Sequence, residues 1–168
     1  MPYWNRTRDG YVKVWTDGAC SMNGYHGAKA GLGVFFGDNN DYNLSEPVTG
    51  RVTSNSAEIQ AVTRACLQAC DAGKWRLEIY TDSEFVINCI TKWIKLWEGR
   101  NWYTASGRPV VNRRELEDMV DALHRLDDYR FIHVRGHQGD YGNEHADRLA
   151  KEGAERYNGD SSDSDDYY

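Results

Sequence analysis

Four acidic side chains stand where they could act together in catalysis. Asp17 and Asp82 each follow a β-rich run, in YVKVWTDG and LEIYTDS. Glu58 lies in the first turn of the helical run between them, and Asp147 lies early in the last helical run, after a His-Gly loop. Four carboxylates in one cleft repel one another unless divalent cations that prefer oxygen ligands bind there. Two such cations about 3.5–4 Å apart support in-line displacement at phosphorus.

Each of these acids has a simpler interpretation when it is taken alone. An aspartate after a strand is commonly a turn former or helix cap. A glutamate in the first turn of a helix commonly completes a capping box or interacts with the helix dipole. Asp147 can pair with Arg148 or Lys151, and His137, in the loop RGHQG, can lack a function. Spacing alone therefore leaves the metal site open.

Hydrophobic patterning indicates the elements that must position these acids. Three β-rich runs come first without a helix between them, which predicts an antiparallel meander. Periodicities of three and four residues then alternate with further β-rich runs, giving the order βββαβααβα. The predicted strands are Tyr11–Thr16, Gly31–Phe36, Asp41–Val48, Leu77–Thr81 and Phe131–Val134. The predicted helices are Asn55–Ala72, Ser83–Ile94, Val110–Leu126 and Asn143–Arg156.

This order predicts an α/β fold with a mixed five-stranded sheet flanked by helices. Strands joined by a helical crossover run parallel, so the first strand and the strand after the first long helix should be neighbours. Asp17 and Asp82 would then emerge at one edge of the sheet, which is where ligands bind in such folds.

Local signals predict how the elements end and pack. Asn55 and Glu58 have the spacing of a capping box, and Gly73 is placed to end the same helix. Asn112 is a candidate cap for the third helix. The glycines of the strand GLGVFF indicate a close approach of another backbone.

Length and composition favour one soluble domain. The chain has 168 residues, of which 40% are hydrophobic and 27% charged, as in ordinary globular proteins. We predict a flexible lead over 1–10, one domain over 11–157 and a disordered acidic tail over 158–168. No apolar run approaches the roughly 20 residues of a membrane-spanning helix. The four cysteines match neither a zinc site nor a disulfide framework.

The charge distribution is uneven. The net charge of −6 at first argues against a nucleic-acid partner, but the tail alone contributes four aspartates. Residues 92–114 carry six cations and one acid, a local charge of +5, interleaved with tryptophans. Local fields determine where a polyanion docks, so this stretch is a candidate nucleic-acid surface.

Taken together, these segments resemble the catalytic domain of type 1 ribonuclease H, in its eukaryotic-like form. The matching segments are TDGACSMNG at 16–24, GLGVFFG at 31–37, TSNSAEIQAV at 53–62, IYTDSEFVINCITKWIKLW at 79–97, GRPVVNRREL at 107–116 and HVRGHQGDYGNEHADRLAKEGA at 133–154. The resemblance implies a ribonuclease H-like fold. It also implies an endoribonuclease that hydrolyses the RNA strand of RNA–DNA hybrids and leaves 5′-phosphate and 3′-hydroxyl ends.

The resemblance also implies a catalytic site. The acids of the family fall on Asp17, Glu58, Asp82 and Asp147, which would bind two Mg²⁺ ions, with Mn²⁺ as a substitute. Asp17 would bridge both ions, and Asp147 would hold the ion that activates the attacking water. The histidine of the family's mobile loop falls on His137, which would move a proton or assist product release.

Substrate contacts are implied at further positions. Tryptophans beside cations favour an aromatic surface for the DNA strand, although two tryptophans four residues apart are also common in cores. The resemblance places Phe85 and Trp97 at the DNA strand, and Trp93 is a further candidate from its position among the cations; the implied phosphate pocket is Arg51, Thr53 and Asn112. The implied RNA-strand and minor-groove contacts are Asn23, Ser54 and Asn55. Ser54 replaces an amide that is usual in the family, so we expect altered minor-groove contacts with activity retained.

These features define the expected partners and the alternatives. We expect an RNA–DNA hybrid as partner, no small-molecule cofactor, no membrane, and a monomer. We expect an intracellular location, in nucleus or cytoplasm, with the mitochondrion left open. The alternative functions are a catalytically weak hybrid-binding module of the same fold and a related two-metal DNA nuclease.

Overall fold

Five strands form one mixed sheet in a computed structural model that describes residues 3–22, 27–136 and 139–158. The strands are β1 (Val12–Ser21), β2 (Lys29–Phe35), β3 (Leu44–Pro47), β4 (Arg76–Thr81) and β5 (Asp128–His133). The helices are α1 (Ser54–Asp71), α2 (Glu84–Asn88), α3 (Ile94–Gly99), α4 (Arg113–His124) and α5 (Tyr141–Glu155). The sheet order is β3-β2-β1-β4-β5, so the predicted mixed five-stranded α/β architecture is confirmed.

Strand β1 joins the two halves of the sheet. It runs antiparallel to β2 and parallel to β4, and β4 runs parallel to β5. The prediction that β1 ends before Asp17 is wrong, since pairing with β2 continues and sets Asp17 opposite Gly33. Parallel pairing with β4 nevertheless stops at Trp15, opposite Tyr80. Asp17 and Asp82 therefore come just after the parallel pairing of their strands, as predicted.

The helical region after β4 differs most from its prediction. The predicted helix Ser83–Ile94 begins with Ser83 as its cap, whose hydroxyl accepts from the Val86 N–H at 3.1 Å. It then continues through a π-helical turn over Cys89–Trp93 into α3. A π turn inserts one extra residue into the helical repeat, which short-range periodicity does not reveal.

The start of α1 corrects a second prediction. Thr53 is the cap, and its hydroxyl accepts from the Ser56 N–H at 3.1 Å. Asn55 lies exposed inside the first turn, so the predicted Asn55–Glu58 capping box is wrong. The helix ends as predicted, because Gly73 adopts a left-handed backbone with φ of +71°, a conformation that costs glycine little.

The core lies between the sheet and the helices α1 and α4. The predicted apolar face of α1 is fully buried, and α4 contributes Leu116, Met119 and Leu123. All four cysteines are free thiols, two of them buried, as expected from their spacing. None of the described helices is both long and apolar enough to cross a membrane.

Residues 3–10 make specific contacts with the domain. The Trp4 ring packs against Phe36 and Tyr42, with centroid distances of 5.4 and 5.5 Å. Asn5 donates to the Phe36 carbonyl and accepts from the Lys13 N–H. These contacts do not fit the prediction of a flexible lead over 1–10. The predicted acidic tail lies outside the described residues from 159 onward.

Glycines in β2 allow α5 to lie directly on the sheet, as their sequence pattern predicts. A Cβ atom at Gly33 would overlap the carbonyl oxygen of Ala146 and lie 2.7 Å from the Ala150 nitrogen. Both of these are backbone atoms, which cannot move aside as a side chain can. The close approach sets α5, and with it Asp147, beside β1.

We therefore expect Gly33→Ala to lower the unfolding free energy by on the order of 3 kcal/mol, because the new methyl group pushes α5 off the sheet. Urea denaturation of the metal-free protein measures the change. Gly99→Ala is the matched control, since no atom of the described residues lies within 4 Å of a Cβ there. Equal urea midpoints for the two variants would contradict this account of the packing.

Candidate active site

Three of the four predicted acids meet in one cluster. One carboxylate oxygen from each of Asp17, Glu58 and Asp82 lies within 4.8 Å of the others. They come from the middle of β1, the fifth residue of α1 and the residue directly after β4. The cluster is therefore assembled from three separate elements at the edge predicted from parallel pairing.

Gly18 allows Glu58 to reach this cluster. A Cβ atom at Gly18 would lie 2.6 Å from the Glu58 nitrogen and 2.7 Å from the Ala57 carbonyl carbon. Only glycine therefore allows the backbone of α1 to approach β1 this closely. The neighbouring Asp17 is also held in place, because its Oδ1 accepts from the Gly18 N–H at 2.9 Å.

The cluster disfavours ionisation of its own carboxyl groups. Asp17 is only 4% exposed, and burial, together with the charge of Asp82, raises its pKa to about 8. Burial, and next the charge of Asp17, raise the pKa of Glu58 well above its ordinary value. Carboxyl groups that resist ionisation in the metal-free protein are the expected result of packing like charges together.

The donor set fits a divalent cation. All the ligand atoms are carboxylate oxygens, which hard cations such as Mg²⁺ prefer. Glu58 Oε2 is buried and has no hydrogen-bond partner among the described residues. A buried carboxylate oxygen without a partner is costly, and a bound cation would satisfy it while removing the repulsion from Asp17.

Asp147 lies beside this cluster in the second turn of α5. The nearby Asp147 carboxyl group adds to the rise in the pKa of Asp17, after burial and the charge of Asp82, while its Oδ2 lies 2.9 Å from Lys151 Nζ. The ion pair with Lys151 agrees with the simpler interpretation of Asp147, and its role with the other acids stays a prediction. His137 and Asn23 lie outside the described residues. Gly136, next to His137, lies close to Asp82.

The predicted aromatic residues form a continuous row. Phe85 and Trp93 have ring centroids 5.9 Å apart, Trp93 and Trp97 are also 5.9 Å apart, and Trp97 and Trp102 are 6.3 Å apart. Trp102 is buried, whereas the other three are partly exposed and pack against the core from outside. Core packing and an exposed aromatic surface are therefore both present in this row, since Trp102 lies in the core and the other three rings are partly exposed to solvent.

The predicted phosphate-pocket residues lie around one groove. Arg51 and Asn112 line a groove of about 740 Å³ between the β3–α1 connection and α4, and Thr53 caps the adjacent helix. Ser54 opens α1 and is partly exposed. Glu115 also lines the groove and was not predicted, although its spacing of three from the cap Asn112 is a capping-box signal.

Comparison with known proteins supports a single family. The RNase H family model matches residues 9–155. The chain is 44% identical to Ribonuclease H1 of Homo sapiens over 149 residues, covering 87% of this chain and 51% of that protein. It is 39% identical to Ribonuclease H of a Cyanothece strain over 140 residues, covering 83% of this chain and 86% of that protein.

A solved structure agrees with these relatives. The chain superposes on RNase H1 from the halophilic archaeon Halobacterium salinarum with a TM-score of 0.62 and 28% identity, covering 88% of this chain and all of the other. The chain spans about half the length of the mammalian relatives that it matches.

Proposed function

The chain belongs to the RNase H family, and from that premise we propose that it is an endoribonuclease hydrolysing the RNA strand of RNA–DNA hybrids. The observation that carries the proposal is the cluster of Asp17, Glu58 and Asp82, with a buried carboxylate oxygen that lacks a partner among the described residues. This donor set is consistent with use of a divalent metal. The family relationship supports the substrate class.

The four carboxylates have separate tasks in this proposal. Asp17, Glu58, Asp82 and Asp147 would hold two Mg²⁺ ions, with Mn²⁺ as a substitute, which supply an activated water and stabilise the departing 3′ oxygen. Asp17 is buried within β1, where the strand pairs with β2. Glu58 also accepts a hydrogen bond from an RNA 2′-hydroxyl, the group that separates RNA from DNA. The predicted role of His137 in moving a proton is part of the same proposal.

The hybrid would be held on the side of the row of aromatic rings. Phe85, Trp93 and Trp97 offer partly exposed ring faces to deoxyribose, with the exposed cations Lys92 and Lys95 beside them. Aromatic faces with neighbouring cations bind nucleic-acid strands without reading sequence. The proposed phosphate contacts are Arg51, Thr53 and Asn112, and the proposed RNA-side contacts are Asn23, Ser54 and Asn55.

We also propose that the chain acts as a monomer, since the three clustered carboxylates come from a single chain. Light scattering of the purified protein, with and without hybrid, measures this directly. An intracellular location, in nucleus or cytoplasm, is proposed because RNA–DNA hybrids form there. Immunofluorescence of the tagged chain in its native cells tests the location.

Cleavage of a labelled RNA–DNA hybrid tests the function. We expect Mg²⁺-dependent cutting of the RNA strand only, with 5′-phosphate and 3′-hydroxyl products, and no cutting of duplex DNA or duplex RNA of the same sequence. Addition of a chelator should stop the reaction.

The other outcomes identify the alternatives. Binding of the hybrid without cleavage, in both Mg²⁺ and Mn²⁺, would leave a hybrid-binding module of the same fold. Cleavage of duplex DNA at a comparable rate would indicate a two-metal DNA nuclease. Either result would overturn the proposed activity.

A further inference from the structure

Glu115 links the two walls of the groove that contains Arg51 and Asn112. Its carboxylate accepts from Ser56 Oγ at 2.8 Å and from Asn112 Nδ2 at 3.2 Å. Ser56 lies in the first turn of α1, and Asn112 precedes α4. The Glu115 side chain therefore holds the starts of two helices together at the base of this groove.

The contact with Glu115 continues into the β3–α1 connection. Ser56 Oγ accepts from Gln60 Nε2 at 2.9 Å, and the same Gln60 nitrogen donates to the Thr49 carbonyl at 2.8 Å. Gln60 Oε1 in turn accepts from the Thr49 N–H at 3.1 Å. A chain of hydrogen bonds thus runs from Thr49 to Asn112 through Glu115. It connects the β3–α1 connection, α1 and the start of α4, which form most of the groove lining.

Glu115 fixes the orientation of the Asn112 amide. An ionised carboxylate only accepts hydrogen bonds, so the nitrogen of Asn112 must face it. That nitrogen carries two N–H groups, and one remains for another acceptor. Burial raises the pKa of Glu115, and the bonds from Ser56 and Asn112, with the positive charge of Arg51, oppose that rise. Arg51 lines the same groove as Glu115, and its charge favours the ionised carboxylate.

Two other cations of the groove are paired with different acids. Arg64 forms an ion pair with Glu46, and Arg113 forms one with Glu117. Asp118 is the further acid whose charge acts on Glu115. Asn112 is the groove donor that Glu115 orients by a hydrogen bond, and Arg51 is a groove cation whose charge acts on Glu115.

We propose that Glu115 is a positioning residue that presents the free N–H of Asn112 to one phosphate of the DNA strand, in the groove that Arg51 also lines. The inference rests on the proposed function, since it deepens how the hybrid is held. Glu115 touches neither the acidic cluster nor the reacting atoms in this proposal. Its loss should therefore weaken substrate binding and leave the chemical step intact.

The test combines variants of Glu115 with hybrids that carry one uncharged methylphosphonate at successive positions of the DNA strand. For the wild-type chain, KM should rise when the methylphosphonate replaces one particular phosphate, because that phosphate binds in the groove through its charge. We call this the sensitive position. Glu115→Ala should raise KM for the unmodified hybrid about tenfold and keep kcat within about twofold. In Glu115→Ala, a methylphosphonate at the sensitive position should cause no further rise in KM, since the substitution and the methylphosphonate remove the same contact.

Two further variants separate positioning from a general effect on folding. Glu115→Gln keeps the size of the side chain but adds a donor, which allows the Asn112 amide to turn over, so KM should rise less than in Glu115→Ala. Asp121→Asn is the control at an exposed position of the same helix outside the groove, and it should leave KM and the scan unchanged. Thermal unfolding of each variant confirms that the protein measured is folded.

Each remaining outcome has a defined meaning. A Glu115→Ala protein that keeps the sensitive position would overturn the proposed positioning role. A loss of kcat equal to the rise in KM would overturn it as well, because the effect would then reach the acidic cluster. A wild-type chain that neither binds nor cleaves the hybrid would instead overturn the proposed function on which the inference rests.

Discussion

Replacing Asp17 by asparagine should lower the rate of hybrid cleavage in Mg²⁺ by about a thousandfold or more while the fold is retained. Asparagine has nearly the same shape, and its side-chain oxygen can still accept from the Gly18 N–H. The change removes one negative charge from the centre of the cluster that Asp17 forms with Glu58 and Asp82. The resulting donor set binds a divalent cation more weakly, and the activated water is lost with it.

Single-turnover cleavage with saturating protein measures this effect separately from substrate binding. Affinity for the hybrid, measured by fluorescence anisotropy without metal, should be at least equal to that of the wild type, because the substitution keeps the shape of the side chain and adds no negative charge. Asp121→Asn makes the same chemical change at an exposed position of α4 and should leave the rate unaltered. Turnover by Asp17→Asn within tenfold of the wild type would refute the metal-site assignment.

The convergence of the acids could be predicted because it depends on long-range rules with few exceptions. A crossover helix between Asp17 and Asp82 makes their strands parallel, and parallel strands present their ends at one edge. The glycines of β2 likewise predicted the close packing of α5, since a strand glycine commonly marks a backbone contact. Both inferences used only the order of the elements and the absence of a side chain.

The exact ends of helices and strands were harder to predict, because they depend on contacts with residues that are distant in sequence. Asn55 and Thr53 are both good helix caps, and Thr53 is the one whose hydroxyl meets the free N–H of Ser56. The extension of β1 past Asp17 depends on β2 continuing to pair with it. The π turn at Cys89–Trp93 leaves no clear trace in the periodicity of the sequence.

The groove shows the same limitation at the level of side chains. Arg51 and Asn112 were predicted by resemblance, whereas the Ser56–Glu115 hydrogen bond joins residues that are 59 positions apart. No motif spans such a pair, and only the packing of α1 against α4 brings the two residues together. Sequence reasoning therefore identified the candidate contacts with the substrate more readily than the residues that hold them in place.

The metal-free protein should lose stability as the pH rises from about 4 to about 8. The ordinary pKa of an aspartate, 3.8, applies to Asp17 in the unfolded chain, and the folded value is about 8. The folded state therefore keeps a proton that the unfolded state releases across this range. Its contribution is fully present below about pH 4 and is lost as the pH rises through about 8. Glu58, whose pKa is raised in the same direction, adds to this loss.

Asp17→Asn removes this titration and should therefore be more stable than the wild type at pH 8 without metal, by on the order of 2–5 kcal/mol in unfolding free energy. Near pH 4 the two proteins should differ little. Urea denaturation across the pH range, in the presence of a chelator, measures the difference, and Asp41→Asn serves as an exposed acid-to-amide control. Parallel pH profiles for the wild type and Asp17→Asn would show that the clustered charges do not destabilise the metal-free fold.

Mg²⁺ should restore the stability that the metal-free wild type loses at high pH, and it should have little such effect on Asp17→Asn. A cation that binds only the folded state stabilises it in proportion to its affinity, and that affinity increases as the carboxyl groups ionise. The stabilisation by Mg²⁺ should therefore be greatest near pH 8 and small near pH 4, and Asp17→Asn should show little of it at either pH. The residue that makes the metal-free protein least stable would then be the one that makes the loaded protein active, because both effects arise from the same packing of like charges.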